Sequence, residues 1–152
     1  MQTRRQHLQQ SAVVAGLLAS TGLFPQFAHA AFNKAAFDAK TIAESLKAYG
    51  AGAPVESKDV TITAPDIAEN GAVVPMGAAT TLPNVKQLLI MVEKNPSALV
   101  AMFNVTDSID ASVSTRAKMG QSSDVYAVAI MADGKALFAK KEVKVTLGGC
   151  GG

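Results

Sequence analysis

The chain has one cysteine, two histidines and no tryptophan in 152 residues. One cysteine excludes an internal disulfide. There is no Walker loop and no Gly-x-Gly-x-x-Gly turn, so the usual nucleotide-phosphate cradles are missing. Charged residues make up only 17% of the chain, too few for a disordered segment or a nucleic-acid tail. Aromatic residues are scattered and amount to 5%, which gives no stacking footprint for nucleic acid. What is present is apolar: 49% hydrophobic residues can build a core, and the length suits one ordinary domain.

The N-terminus carries features of its own. Arg4 and Arg5 form a paired basic start, and a short apolar run extends from Ala12 to Phe24. That run is shorter than the roughly 20 residues a membrane-spanning helix needs. Pro25 breaks it, and Ala28-His29-Ala30 supplies the small-x-small pattern of a signal-peptidase site. Thr3-Arg4-Arg5-Gln6-His7-Leu8-Gln9 resembles a twin-arginine export signal, with His7 where an aromatic residue is more usual. Residues 1–30 therefore read as a leader that is removed, and the destination as the periplasm of a bacterium. Export by this route implies folding, or assembly with a partner, before translocation.

Removing the leader changes the composition. Arg4 and Arg5 are two of the 14 basic residues, and the leader has no acidic one, so 12 of each sign remain and the net charge falls from +2 to zero. His7 and His29 leave as well. Without histidine, Ser-His and Cys-His nucleophile pairs cannot be assembled within the chain. Cys/His zinc sites are excluded in the same way. Met76, Met91, Met102, Met119 and Met131 are dispersed through apolar runs, which suits core packing rather than a copper site. No catalytic residue, metal ligand or cofactor is expected. Asn104-Val105-Thr106 matches a glycosylation sequon, a chance match in a bacterial export context.

The pattern along the chain predicts one helix over 32–49. Phe37, Ile42, Leu46 and Tyr49 share a face, Asn33 can cap its start and Gly50 can end it. Such a helix is expected to pack on its own domain. Gly50 to Pro54 reads as a turn or short linker. Seven short strands follow, opening near Val60, Val73, Val85, Leu99, Val113, Val125 and Ala136. Pro75 suggests an edge or bulge in the second. Leu88 to Val92 is a buried-strand run. Pro65-Asp66, Asn70-Gly71, Asn95-Pro96 and Gly120 to Ser123 are turn signals, and Ala132-Asp133-Gly134-Lys135 is a hairpin turn. Ala136 to Leu147 is one long strand or two. The expectation is an antiparallel β-sandwich of immunoglobulin-like type with an N-terminal helix.

The chemistry is concentrated in Gly148-Gly149-Cys150-Gly151-Gly152. Glycine has no side chain to pack and the widest backbone freedom, so four glycines around one cysteine make a thin flexible arm. Five extended residues reach roughly 17 Å. The arm presents a thiol and supplies no base for it, which suits a covalent handle processed by other proteins. A single unpaired cysteine in an oxidising compartment is otherwise a liability.

The tail from Lys140 to Gly152 resembles that of SoxY proteins, the sulfur-carrier subunits of bacterial thiosulfate oxidation. The segments Val55 to Ala72 and Ser114 to Ser123 resemble the same family, and the twin-arginine leader agrees with it. The resemblance implies a covalent substrate carrier, not an enzyme. Cys150 would be the attachment site for sulfur intermediates, and Gly148, Gly149, Gly151 and Gly152 the carrier arm. It further implies a heterodimer with a SoxZ-like β-sandwich subunit. A c-type cytochrome complex would conjugate thiosulfate to the cysteine and a hydrolase would release sulfate. In complete systems a sulfane dehydrogenase also acts. No nucleic-acid or membrane partner is implied. Lys140, Lys141 and Lys144, just before the arm, read as a solvated strand face.

The residues alone leave three other readings open. The terminal Gly151-Gly152 could be activated as a thiocarboxylate, as in ubiquitin-like sulfur donors. Cys150 could form an intermolecular disulfide. The sandwich could be a binding module with a disposable tail. The expected organisation is a leader over 1–30, helix and linker over 31–54, sandwich over 55–147 and arm over 148–152.

Overall fold

The computed structural model describes residues 33–146. Residues 1–32, with the expected leader, and 147–152, with the expected Gly148–Gly152 arm and Cys150, lie outside the described residues.

Where one helix is predicted, two short ones form: α1, Lys34–Asp38, and α2, Ile42–Ala48. Asn33 caps α1 as expected, its side chain accepting from the Ala36 N–H. The break follows from the next cap. Thr41 is extended, its side chain accepts from the Glu44 N–H, and the Glu44 carboxylate reaches back to the Thr41 N–H. This reciprocal box starts a new helix and leaves Ala39 extended at φ −61° and ψ 138°. The end of α2 is as predicted. Gly50, at φ +71°, lets its own N–H reach the Lys47 carbonyl and the Ala51 N–H reach that of Leu46.

Nine strands follow. They are β1 (Pro54–Glu56), β2 (Val60–Thr63), β3 (Ile67–Ala68), β4 (Val74–Thr80), β5 (Val85–Val92), β6 (Leu99–Asn104), β7 (Ser112–Ala117), β8 (Ser123–Met131) and β9 (Ala136–Val145). Seven match the predicted strands, and the last is one long strand. The smaller sheet has the order β2-β4-β7 and the larger the order β1-β9-β8-β5-β6. Their central strands are arranged as in an immunoglobulin-like sandwich.

Two corrections apply to the predicted pattern. β1, which starts at the last residue of the expected linker, and β3, between the turn signals Pro65-Asp66 and Asn70-Gly71, are short strands outside the predicted seven, and both pair parallel to β9 rather than antiparallel. The chain runs beside Ala136 to Phe138 of the larger sheet, crosses to the smaller sheet as β2, and returns beside Lys144. Pro75 meets its expectation in part. β4 is a central strand, but β2 reaches only as far as Gly77, so at Pro75 only β7 lies alongside.

Both faces of the larger sheet are covered along β5, which explains the unbroken apolar run there. Leu88, Ile90 and Val92 face Val74, Met76 and Ala78 of β4 across the sandwich. Leu89 and Met91 face the other way, into a second cluster with Val128 and Ile130 of β8 and with Ala36 and Leu46 of the helices. The helices thus pack on their own domain. Met76, Met91 and Met119 are buried, and Met102 and Met131 pack at the cluster margins.

Candidate functional site

Strand β9 leads toward Gly148–Gly152, the expected arm, so its last residues form the root of that segment. Its backbone is held on both edges there. On one side, Lys144 N–H donates to the Asp66 carbonyl at 3.0 Å and Thr146 N–H to the Ala68 carbonyl at 3.1 Å. The Thr146 hydroxyl adds a third bond on that side, to the Glu69 carbonyl at 3.0 Å. On the other side, β8 begins only at Ser123, opposite Val143. Val145 N–H therefore has no strand backbone to meet, and it donates to the Ser122 side-chain oxygen at 2.8 Å. The next residue, Ser123, is buried. Its hydroxyl accepts from Lys94 N–H and donates to the Asp124 carbonyl, both at 3.0 Å.

The basic run is largely internally compensated. Lys140 lies 3.0 Å from the Asp124 carboxylate and 5.9 Å from the centre of the Tyr126 ring. The hydrogen bond to Asp124, and then the proximity of Tyr126, push the Lys140 ammonium above its ordinary range. Burial chiefly, and then Glu93, raise the Tyr126 hydroxyl above its own. Lys141 pairs with Asp66 at 3.0 Å and donates to the Ala64 carbonyl at 2.6 Å. Lys144 is exposed and makes no ion pair among the described residues.

Among the described residues there is no group of three or more His, Cys, Asp or Glu side chains placed to hold a metal ion. A shallow hollow of about 890 Å³ over the smaller sheet is lined by Thr63, Pro75, Gly77, Ser114 and Arg116 among others. Arg116 is its one ionisable side chain, so it offers no acid–base pair.

The decisive observation comes from relatives. The family model described as "Sulfur oxidation protein SoxY" matches residues 46–150, from Leu46 in α2 through Cys150. The chain belongs to the SoxY family. A solved structure, the sulfur carrier protein SoxY from Chlorobium limicola f thiosulfatophilum, is 37% identical and aligns with a TM-score of 0.59. That alignment covers 65% of this chain and 89% of the other. A superoxide reductase (neelaredoxin) from Ignicoccus hospitalis aligns over 57% of this chain and 78% of its own at 18% identity and a TM-score of 0.50, a likeness of fold alone. No curated protein sequence matches significantly.

The predicted site residues Gly148, Gly149, Cys150, Gly151 and Gly152 lie outside the described residues. The described part of this SoxY chain adds the residues around the root: Asp66, Ala68, Glu69, Ser122 and Thr146. Their sequence signals are turn signals, Pro65-Asp66, Asn70-Gly71 and Gly120 to Ser123. Those signals mark where the chain bends, not which strand the bend will hold.

Proposed function

We propose that this SoxY protein is a covalent sulfur carrier of periplasmic thiosulfate oxidation, with Cys150 as the attachment site. The family match supports this most directly, because it extends to Cys150, the one thiol in the chain. The glycines at 148, 149, 151 and 152 give the thiol a slender approach, since none adds a side chain that would clash in a narrow entrance.

The chain's own part in the chemistry is to supply sulfur and hold the product. Oxidative conjugation joins the Cys150 sulfur to the outer sulfur of thiosulfate. The thiol proton and two electrons leave, the electrons to a partner c-type cytochrome complex. The carrier then holds a Cys–S–S–SO₃⁻ group. A partner hydrolase adds water across the S–SO₃ bond, releasing sulfate and leaving a persulfide on Cys150. In complete systems a sulfane dehydrogenase oxidises the remaining sulfane sulfur. Tethering keeps each small anion at high effective concentration for the next partner. A SoxZ-like subunit forms the other half of a heterodimer, and the twin-arginine leader directs export.

Cys150→Ser tests this reading. It should abolish thiosulfate-dependent respiration and leave the thermal unfolding of the domain unchanged. Normal thiosulfate turnover by Cys150→Ser would falsify the carrier role.

A further inference from the structure

We propose that Ser122 and Thr146 are positioning residues that fix the pivot of the carrier arm, and so set the radius over which the Cys150 thiol works. This rests on the carrier reading above.

The argument begins with β3. This strand is two residues long, and Ile67 is 58% exposed. Only Ala68, 7% exposed, contributes to the core. Apolar burial is a weak reason for such a strand. Its position has another use. β3 pairs with β9 at Lys144 and Val145, the last two residues of that strand. Asp66 and Ala68 accept from Lys144 and Thr146, and Glu69, just past β3, accepts the Thr146 hydroxyl. Lys141 donates to the Ala64 carbonyl on the approach to β3.

The opposite edge has a matching device. β8 starts too late to bond Val145, and the Ser122 hydroxyl stands in for the absent strand. Three consecutive N–H groups, at 144, 145 and 146, are thereby satisfied on alternating edges. A strand leading into a Gly-rich segment would ordinarily fray. Here the bonding continues to Thr146.

The consequence is a tether length. Cys150 is four residues beyond Thr146, a span of about 14 Å at full extension. If residues 144–146 came loose, the tether would grow to seven residues and about 25 Å. Effective concentration falls roughly as the −3/2 power of linker length, so that slack would dilute the thiol about two-fold at a docked partner's active site.

Amide hydrogen exchange on the full-length protein, with and without Ser122→Ala, tests the pivot. In the wild type the amides of 144, 145 and 146 should be strongly protected. Ser122→Ala should lower protection at Val145 at least ten-fold while leaving Val143 unchanged, and Ser122→Thr, which keeps the hydroxyl, should restore it. In thiosulfate oxidation reconstituted with the host's partner proteins, Ser122→Ala combined with Thr146→Val removes both side-chain bonds of the pivot and should lower kcat by up to about two-fold at unchanged KM. Unprotected amides at 144–146 in the wild type would overturn the pivot. So would an unchanged kcat despite lost protection, or a change confined to KM. Failure of the carrier reading looks different: Cys150→Ser would remain active, whatever the exchange pattern.

Discussion

The Ser45 hydroxyl donates to the Ala36 carbonyl at 3.0 Å, and both residues are fully buried. This bond ties α2 to α1 beneath the surface and sets the two helices as one lid on the larger sheet. Neither helix is long enough to be stable alone in water, so the lid depends on this contact and on the apolar cluster below it.

The lid should respond to two substitutions of different size. Leu46, 1% exposed, projects from α2 into the cluster with Leu89 and Val128. Leu46→Ala should cost about 2–5 kcal/mol, and Ser45→Ala about 1–3 kcal/mol, by removing the donor to a buried carbonyl. Urea denaturation followed by circular dichroism measures both. Equal and negligible effects would show that the helices do not contribute to the fold.

Tyr49 gives a pH dependence. Its hydroxyl is buried without a hydrogen-bonding partner among the described residues, and burial raises its pKa above the ordinary tyrosine range. The neutral form is favoured on folding. The associated stability is fully present below about pH 10, where the unfolded-state tyrosine titrates, and is lost as pH rises through the higher folded-state value. Tyr49→Phe should therefore flatten the alkaline loss of stability. It should be neutral or mildly stabilising at pH 7, since it removes an unpaired polar atom. Thermal melts from pH 7 to pH 11 check this, and a steeper alkaline loss in Tyr49→Phe would contradict it.

Gly77 gives a steric prediction. A Cβ there would lie 3.0 Å from the Val113 carbonyl oxygen of the neighbouring strand. That oxygen belongs to the backbone of β7, opposite β4 in the smaller sheet, and cannot swing away. Gly77→Val should cost about 1–3 kcal/mol through the forced shift. An unchanged melting temperature would mean that β4 and β7 separate more easily than their pairing implies.

The Lys141–Asp66 pair should contribute little by its charge. The Asp66 side chain is 88% exposed, so solvent screens the attraction. Asp66→Asn keeps the backbone carbonyl that accepts from Lys144 and should change stability by less than about 1 kcal/mol. A larger loss, read from chemical denaturation at 0.1 M and 1 M salt, would assign the pair a structural weight beyond a surface contact.

Much of the fold was legible because local pattern and global burial agree. The run Leu88 to Val92 has no alternation, and in the structure both its faces are covered. Gly50 was placed to end a helix, and its positive φ does so. Phe37, Ile42, Leu46 and Tyr49 do share an inward face, but across two helices. The spacing of Thr41 and Glu44 is the signal that divides them, and apolar periodicity passes over it. β1 and β3 are illegible for a different reason. Two or three residues carry no period, and their pairing depends on β9, some 80 residues away in sequence. The proposed attachment residue stands out by scarcity: one cysteine, between two pairs of glycines. Its support does not, because Ser122 holds Val145 through a side chain in what reads only as a turn.

Intact mass spectrometry of the protein from thiosulfate-grown cells, with peptide-level assignment, addresses the central claim most directly. The account predicts sulfur-containing adducts removable by a thiol reductant, all localised to Cys150 and absent from Cys150→Ser. An unmodified Cys150 throughout thiosulfate oxidation, or sulfur carried on the Gly152 carboxyl group, would contradict it.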